Sequence, residues 1–148
     1  MASAVGLVAT TAPADAVTRT VQVRISYQIN DYETIGSDEI CTPTTRRVEN
    51  LDDEHYFHRT SRARCGGEIR VEVKYTLDQE NGTVFLTAGR VNFYEGDTDS
   101  TNDLDGTARI RKLTIPAGRA VDTTVNVSNT AENEPRDRAR VSITVDNR

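Results

Sequence analysis

Lysine is almost missing from this chain. Of its 18 basic residues only Lys74 and Lys112 are lysine, and the rest are arginine. Arginine binds carboxylates through two parallel hydrogen bonds, so the composition points to Arg–Asp/Glu networks on a β surface. Long hydrophobic runs are missing too, and no stretch is long enough to span a bilayer. The apolar share, 36%, is lean for a globular domain, but with 28% charged residues it does not reach the composition of a disordered chain. Aromatic residues make up 5%. Tyr27, Tyr32, Tyr56, Phe57 and Tyr75 read as core or loop packing rather than as a binding platform. Acidic residues outnumber basic ones to a net charge of −5, which makes nucleic acid a poor partner. No nucleophile elbow, P-loop or dinucleotide fingerprint occurs. Paired carboxylates abound, yet the pairs sit in turns, which does not favour glycosidase-type acid/base chemistry. The chain therefore reads as a non-enzyme.

The 148 residues suit one domain. Residues 1–16 carry no charge before Asp15, and Ala14-Asp15-Ala16 fits the small-x-small pattern of a signal-peptidase site without a positive n-region. They are read as a leader remnant or tail, and the domain as 17–148. The two cysteines, Cys41 and Cys65, are expected to form one disulfide in an exported protein. That places the protein as secreted or extracellular.

Alternation dominates what remains. Val21, Val23, Ile25 and Tyr27 oppose Gln22, Arg24, Ser26 and Gln28. Ile69, Val71, Val73, Tyr75 and Leu77 oppose Glu68, Arg70, Glu72, Lys74 and Thr76. Period two over such lengths predicts half-buried strands at Val17–Ile29 and Glu68–Leu77. Asn81-Gly82 signals a hairpin turn, followed by Thr83–Tyr94 with a bend at Gly89. A strand over Ala108–Ile115 sets Ala108 and Ile110 against Leu113 and Ile115. Two more run over Ala120–Val127 and Ala139–Val145. Tyr32–Pro43 reads as loop. Thr44–Arg64 reads as an irregular, poorly cored insertion stapled by the cysteines, with a short helix around Leu51–Phe57. On such a helix His55 and His58 stand one turn apart, but two histidines without a third ligand fall short of a zinc site. About seven or eight strands with turns between them predict an antiparallel β-sandwich. Its expected core is Val21, Val23, Ile25, Val71, Val73, Tyr75, Val91, Phe93, Ile110, Val125, Val127, Val141 and Ile143.

One stretch stands apart. From Asp97 to Asp105 the chain reads Asp-Thr-Asp-Ser-Thr-Asn-Asp-Leu-Asp. Aspartates this close repel one another unless something offsets the charge. Ca²⁺, bound by Asp and Asn oxygens and backbone carbonyls, would do so. The bland alternative is a solvated turn of good turn formers. A second acidic loop, Asn30 to Glu39, follows the first strand and carries Asp31 and Gly36-Ser37-Asp38.

The two loops together resemble the calcium loops of the C2 domain family. Asp31 at a strand end with Gly36-Ser37-Asp38, and Asp97-x-Asp99 with Asn102-Asp103 and Gly106, are the residues that carry the likeness. It implies a C2-like sandwich, with an Ig-like one as the other sandwich expected here. It also implies a shared Ca²⁺ site built from Asp31, Asp38, Asp97, Asp99, Asn102, Asp103 and Asp105. The expected function is a secreted calcium-binding module for binding or adhesion. The alternative is a structural or assembly subunit of a surface layer, fibre or shell, without metal dependence. Thr98, Ser100, Thr101 and Leu104 at the loop tip offer little to insert into lipid, which puts a protein or glycan surface ahead of a membrane surface as partner.

Overall fold

The computed structural model describes residues 17–33, 36–131 and 136–148. The leader-like segment, Thr34, Ile35 and Pro135 lie outside them. The described chain is all β, with ten strands in two antiparallel sheets that form a sandwich. The first sheet holds β1 (Arg19–Asp31), β2 (Glu39–Cys41), β3 (Thr44–Leu51), β9 (Arg119–Ser128) and β10 (Arg138–Asn147). Its order is β2-β1-β10-β9, with β3 beside the first half of β1. The second sheet holds β4 (Phe57–Cys65), β5 (Ile69–Glu80), β6 (Thr83–Tyr94), β7 (Leu104–Arg109) and β8 (Leu113–Ile115). Its order is β4-β5-β6-β7, with β8 beside the first part of β6.

The strands form where alternation places them, because a period of two puts every second side chain into the space between the sheets. Val21, Val23, Ile25, Tyr27 and Ile29 on β1 meet Ile69, Val71, Val73, Tyr75 and Leu77 on β5 within one buried core. Every expected core residue is buried except Val125, which is partly buried against it. The hairpin turn falls at Asn81-Gly82, with φ of +49° and +78°, the left-handed pair that a two-residue turn requires. Strand β5 runs on to Glu80 instead of ending at Leu77. The bend at Gly89 is a bulge: pairing shifts between Lys74 and Thr76, and Ala88 adopts φ +48°. The inward positions accordingly switch from Val84 and Leu86 to Val91 and Phe93.

Two sequence expectations are corrected. The first concerns Ala108–Ile115, which is not one strand. It breaks into β7 and β8 around Ile110–Lys112, and Ile110, Leu113 and Ile115 are all buried. At the break the Ile110 N–H donates to the carbonyl of Gly89 in the bulge, and a Cβ on Gly89 would stand 2.6 Å from the Ile110 Cβ. The second concerns Thr44–Arg64, which is neither irregular nor helical at Leu51–Phe57. It is two full strands, and Glu39–Cys41 in the supposed loop is a third. His55 lies in the turn between β3 and β4, and His58 lies on β4.

These strands escaped a hydrophobic reading because their inner face is mixed, with Thr45, Glu49, Arg59 and Ser61 interrupting Leu51, Phe57, Ala63 and Cys65. Arg59 binds Glu49 through Nε and Nη2 at 2.6 and 3.1 Å, joining β4 to β3 and so one sheet to the other. The Arg59 guanidinium holds the Glu49 carboxyl below its usual range and lies 4.5 Å over the Phe57 ring. The Tyr27 hydroxyl donates to Ser61 Oγ at 2.7 Å, and Thr45 Oγ1 lies 2.7 Å from the same oxygen. The Arg59 stem lies along apolar surface here while its head pairs across the seam. Cys41 on β2 and Cys65 on β4 close one end of that seam as the expected disulfide. At the other end Asn147, fully buried, donates its amide to the carbonyls of Gly82 and Ile115 at 2.9 Å each and ties β10 to the second sheet.

Candidate functional site

Both acidic loops leave the sandwich at the same end, and both touch the turn between β4 and β5. Asp31 closes β1, and its Oδ2 lies where a Cβ on Gly66 would stand, 1.8 Å from it. With φ +62°, Gly66 is a position that only glycine fills easily. From the opposite loop, the Asp99 N–H donates to the Gly67 carbonyl at 2.6 Å. The Gly66-Gly67 turn thus stands between Asp31 and Asp99.

The Asp97–Asp105 loop spends much of its charge on its own anchoring. Arg64 on β4 donates to Asp99 Oδ2 at 3.1 Å, and Arg70 on β5 donates to the Asp99 carbonyl at 2.7 Å. The Arg70 guanidinium also lies 4.3 Å over the Tyr94 ring. Asp105 Oδ2 accepts from the Glu95 N–H at 3.0 Å, and the Asp105 carbonyl accepts from the Thr130 N–H and hydroxyl. Asp97, Asn102 and Asp103 are exposed at the tip. In the other loop Asp38 is exposed, with Oδ1 accepting from the Glu33 N–H at 3.2 Å. Among the described residues no three carboxylates from these loops bring oxygens within 4.8 Å of one another. One grouping does meet that distance, Glu39 with Cys41 and Cys65, but its two sulfurs are bonded to each other and offer no thiolate.

Charge instead gathers around Asp31. It is only 4% exposed and lies opposite Glu39 in the β1–β2 pair. Asp137, 3% exposed, approaches from the start of β10, and its Oδ1 accepts from the Tyr32 N–H at 2.6 Å. Burial first, then the charges of Asp137, Glu33, Glu68 and Glu39, push the Asp31 carboxyl up to about 6. Asp31 was expected as a ligand, whereas Asp137, Glu39 and Glu68 were not. The one signal for Asp137 is an acidic residue just before a strand, and it gains meaning only once the first and last strands are known to pair.

A second surface has no counterpart in the sequence reading. The outer face of the first sheet carries side chains in straight rows across four strands, set by the pairing register. One row is made of hydroxyls: Thr44, Ser26, Ser142 and Thr124. Thr44 donates to Ser26 at 3.2 Å, and Thr124 and Ser142 lie 3.2 Å apart. A neighbouring row holds Arg46, Arg24, Thr144 and Asp122, and on the other side Gln28, Arg140 and Asn126 continue the array. No described element covers this face.

No protein-family model matches the chain, and no match is found among curated proteins. Solved structures do match. One is the open-gate state of the secretin InvG (residues 176-end) of the Salmonella SPI-1 type III secretion injectisome, at 10% identity and a TM-score of 0.28, covering 89% of this chain and 56% of that one. The chain spans about half the length of that secretin structure. A TM-score so low bears on neither topology nor function.

Proposed function

We propose that this chain is an exported β-sandwich that works by contact: a binding or adhesion module whose working surface is the outer face of the first sheet. The observation that carries the proposal is the uncovered array of hydroxyl, amide and guanidinium groups in register across β3, β1, β10 and β9. Paired strands, with β1 and β10 at the centre of the sheet, present such groups on a stiff backbone, so a ligand meets them at little ordering cost. The buried Cys65 in its bridge to Cys41 supports an oxidising, extracellular setting. In the test, labelled full-length chain is bound to cell-envelope material of the organism that makes it. Saturable binding is expected. Ser142→Arg, which places bulk in the middle of the hydroxyl row, should abolish it while leaving the melting temperature within about a degree or two, as for a surface substitution. Undiminished binding by that variant would refute the proposal.

Calcium belongs to the proposal through Asp31 rather than through the loop tip. Asp31 is a buried carboxylate on which the charges of Asp137, Glu33, Glu68 and Glu39 all act, so a divalent cation there would offset repulsion, although no three of these carboxylates bring oxygens within 4.8 Å of one another among the described residues. The melting midpoint should rise between chelator and millimolar calcium, by about 2.7 kcal/mol of stability at a hundredfold excess over Kd. An unmoved midpoint would leave a metal-independent module.

Assembly into a layer or fibre is favoured by one observation of its own. Ile40 and Val48, 62% and 53% exposed, lie on the edge strands β2 and β3 of the same sheet. Val48→Glu would then disperse any oligomer seen by light scattering, and a monomer at every concentration would end that reading.

A further inference from the structure

We propose that the groove at one end of this face binds an acidic sugar, a pyranose ring bearing a carboxylate within a polysaccharide. The inference rests on the contact-module reading and names its ligand.

The groove, about 500 Å³, is lined by Gln28 and Asn30 from β1, Arg138 and Arg140 from β10, and Asn126 and Ser128 from β9, with Val127 and Ala139 beneath. Pairing register lays these out as two rows, Gln28–Arg140–Asn126 and Asn30–Arg138–Ser128. Strands stand about 4.8 Å apart, and alternate residues about 6.7 Å along a strand. The six side chains therefore tile an area the size of a disaccharide.

Their chemistry selects the ligand. Gln28, Asn30 and Asn126 each offer both donor and acceptor, and Ser128 adds a hydroxyl, which is what neighbouring sugar hydroxyls require. Arg138 and Arg140 bring two positive charges to a chain of net charge −5, and among the described residues the groove lining holds no carboxylate. Arg138 is steadied by Tyr32, donating to its hydroxyl at 2.6 Å and lying 5.3 Å over its ring. Arg140 is exposed and has no hydrogen bond or ion pair among the described residues, so its fork stands free for a carboxylate. A peptide is the poorer occupant. The main-chain groups of β1 and β10 are already used in the sheet, so strand addition could occur only along the edge strand β9 and would leave the Gln28, Asn30 and Arg140 side chains of the groove floor uncovered.

Calorimetry on the full chain tests this with oligogalacturonate, its methyl ester, which keeps the hydroxyls and loses the charge, and polyglutamate, which keeps the charge and loses the sugar. Oligogalacturonate should bind. Esterification should weaken binding about tenfold or more, the worth of a charged hydrogen bond, and Arg140→Gln should produce the same loss at an unchanged melting temperature. Failure of oligogalacturonate to bind at millimolar concentration would overturn the inference. So would an equally tight methyl ester, an Arg140→Gln variant that binds like wild type, or polyglutamate matching oligogalacturonate. If the sugars fail while Ser142→Arg still loses envelope binding, the acidic-sugar inference falls and the contact module stands. If Ser142→Arg leaves envelope binding intact, the module reading itself falls.

Discussion

Replacing Asp31 by asparagine isolates the strain that the acidic end places on the fold. The side chain is 4% exposed, is pressed against Gly66, and accepts no hydrogen bond from a described residue. Its carboxyl rises from 3.8 to about 6. Because the folded value lies above the unfolded one, the folded state holds the proton more tightly. The fold is therefore unpenalised below about pH 4 and loses stability as pH climbs to about 6. At about 1.4 kcal/mol per pH unit, the full loss is about 3 kcal/mol at neutral pH. An asparagine side chain has the same shape and no charge, so D31N should recover that amount at pH 7.5 and nothing at pH 3.5. For a domain of this size the gain corresponds to a melting temperature higher by about 10 °C. Thermal unfolding of both proteins by circular dichroism in chelator, at several pH values between 3.5 and 8, measures the difference between them. That difference removes the titration of carboxylates remote from Asp31 and keeps its coupling to Asp137, Glu33, Glu68 and Glu39. A gap that does not widen across pH 4 to 6, or a variant less stable than wild type at pH 7.5, would refute the reasoning. If calcium occupies this end, D31N should also erase the calcium-dependent rise in melting temperature.

Three further outcomes follow from the packing. Replacing both cysteines by serine opens a loop of sequence separation 24 and should cost about 3.5 kcal/mol in the chain-entropy account; hydrogen exchange should show β3 and β4 losing protection first, since the bridge closes their seam. Asn147→Ala strands the buried carbonyls of Gly82 and Ile115 and should cost about 3 kcal/mol in urea unfolding, with little change in the denaturant slope. Arg64→Gln removes a contact to Asp99 from an arginine side chain that is 58% exposed; it should cost no more than about 1 kcal/mol, because such pairs are screened by water.

Much of the fold was legible because the core strands carry the simplest possible signal. Val21 through Ile29 and Ile69 through Leu77 alternate without interruption, and the structure buries the expected side of each. A bend at Gly89 was legible too, and pairing shows it to be a bulge that changes the phase between Leu86 and Val91. Strands β3 and β4 were not, because polar Thr45, Glu49, Arg59 and Ser61 share their inward positions with Leu51, Phe57, Ala63 and Cys65. Those polar residues are stabilised by partners on another strand, which no local window displays. The same limit governs the candidate site. The aspartates of the 97–105 loop are conspicuous in sequence, yet Asp99 and Asp105 are engaged by Arg64, Arg70 and Glu95, which come from elsewhere in the chain or the far side of the loop. The array on the outer face was visible only as the polar half of each alternation. It becomes a surface when register sets Gln28 beside Arg140 and Asn126.

The central claim is that the outer face of the first sheet is where this protein meets its partner, and amide chemical-shift mapping tests it most directly. Solubilised envelope polysaccharide is titrated into the isotope-labelled full chain, and the perturbed amides are placed on the fold. The account predicts shifts concentrated at Ser26–Asn30, Thr124–Ser128 and Arg138–Ser142, fading toward β5 and β6. Shifts confined to the Asp31 and Asp97–Asp105 end, or to β2 and the β3–β4 turn, would contradict it.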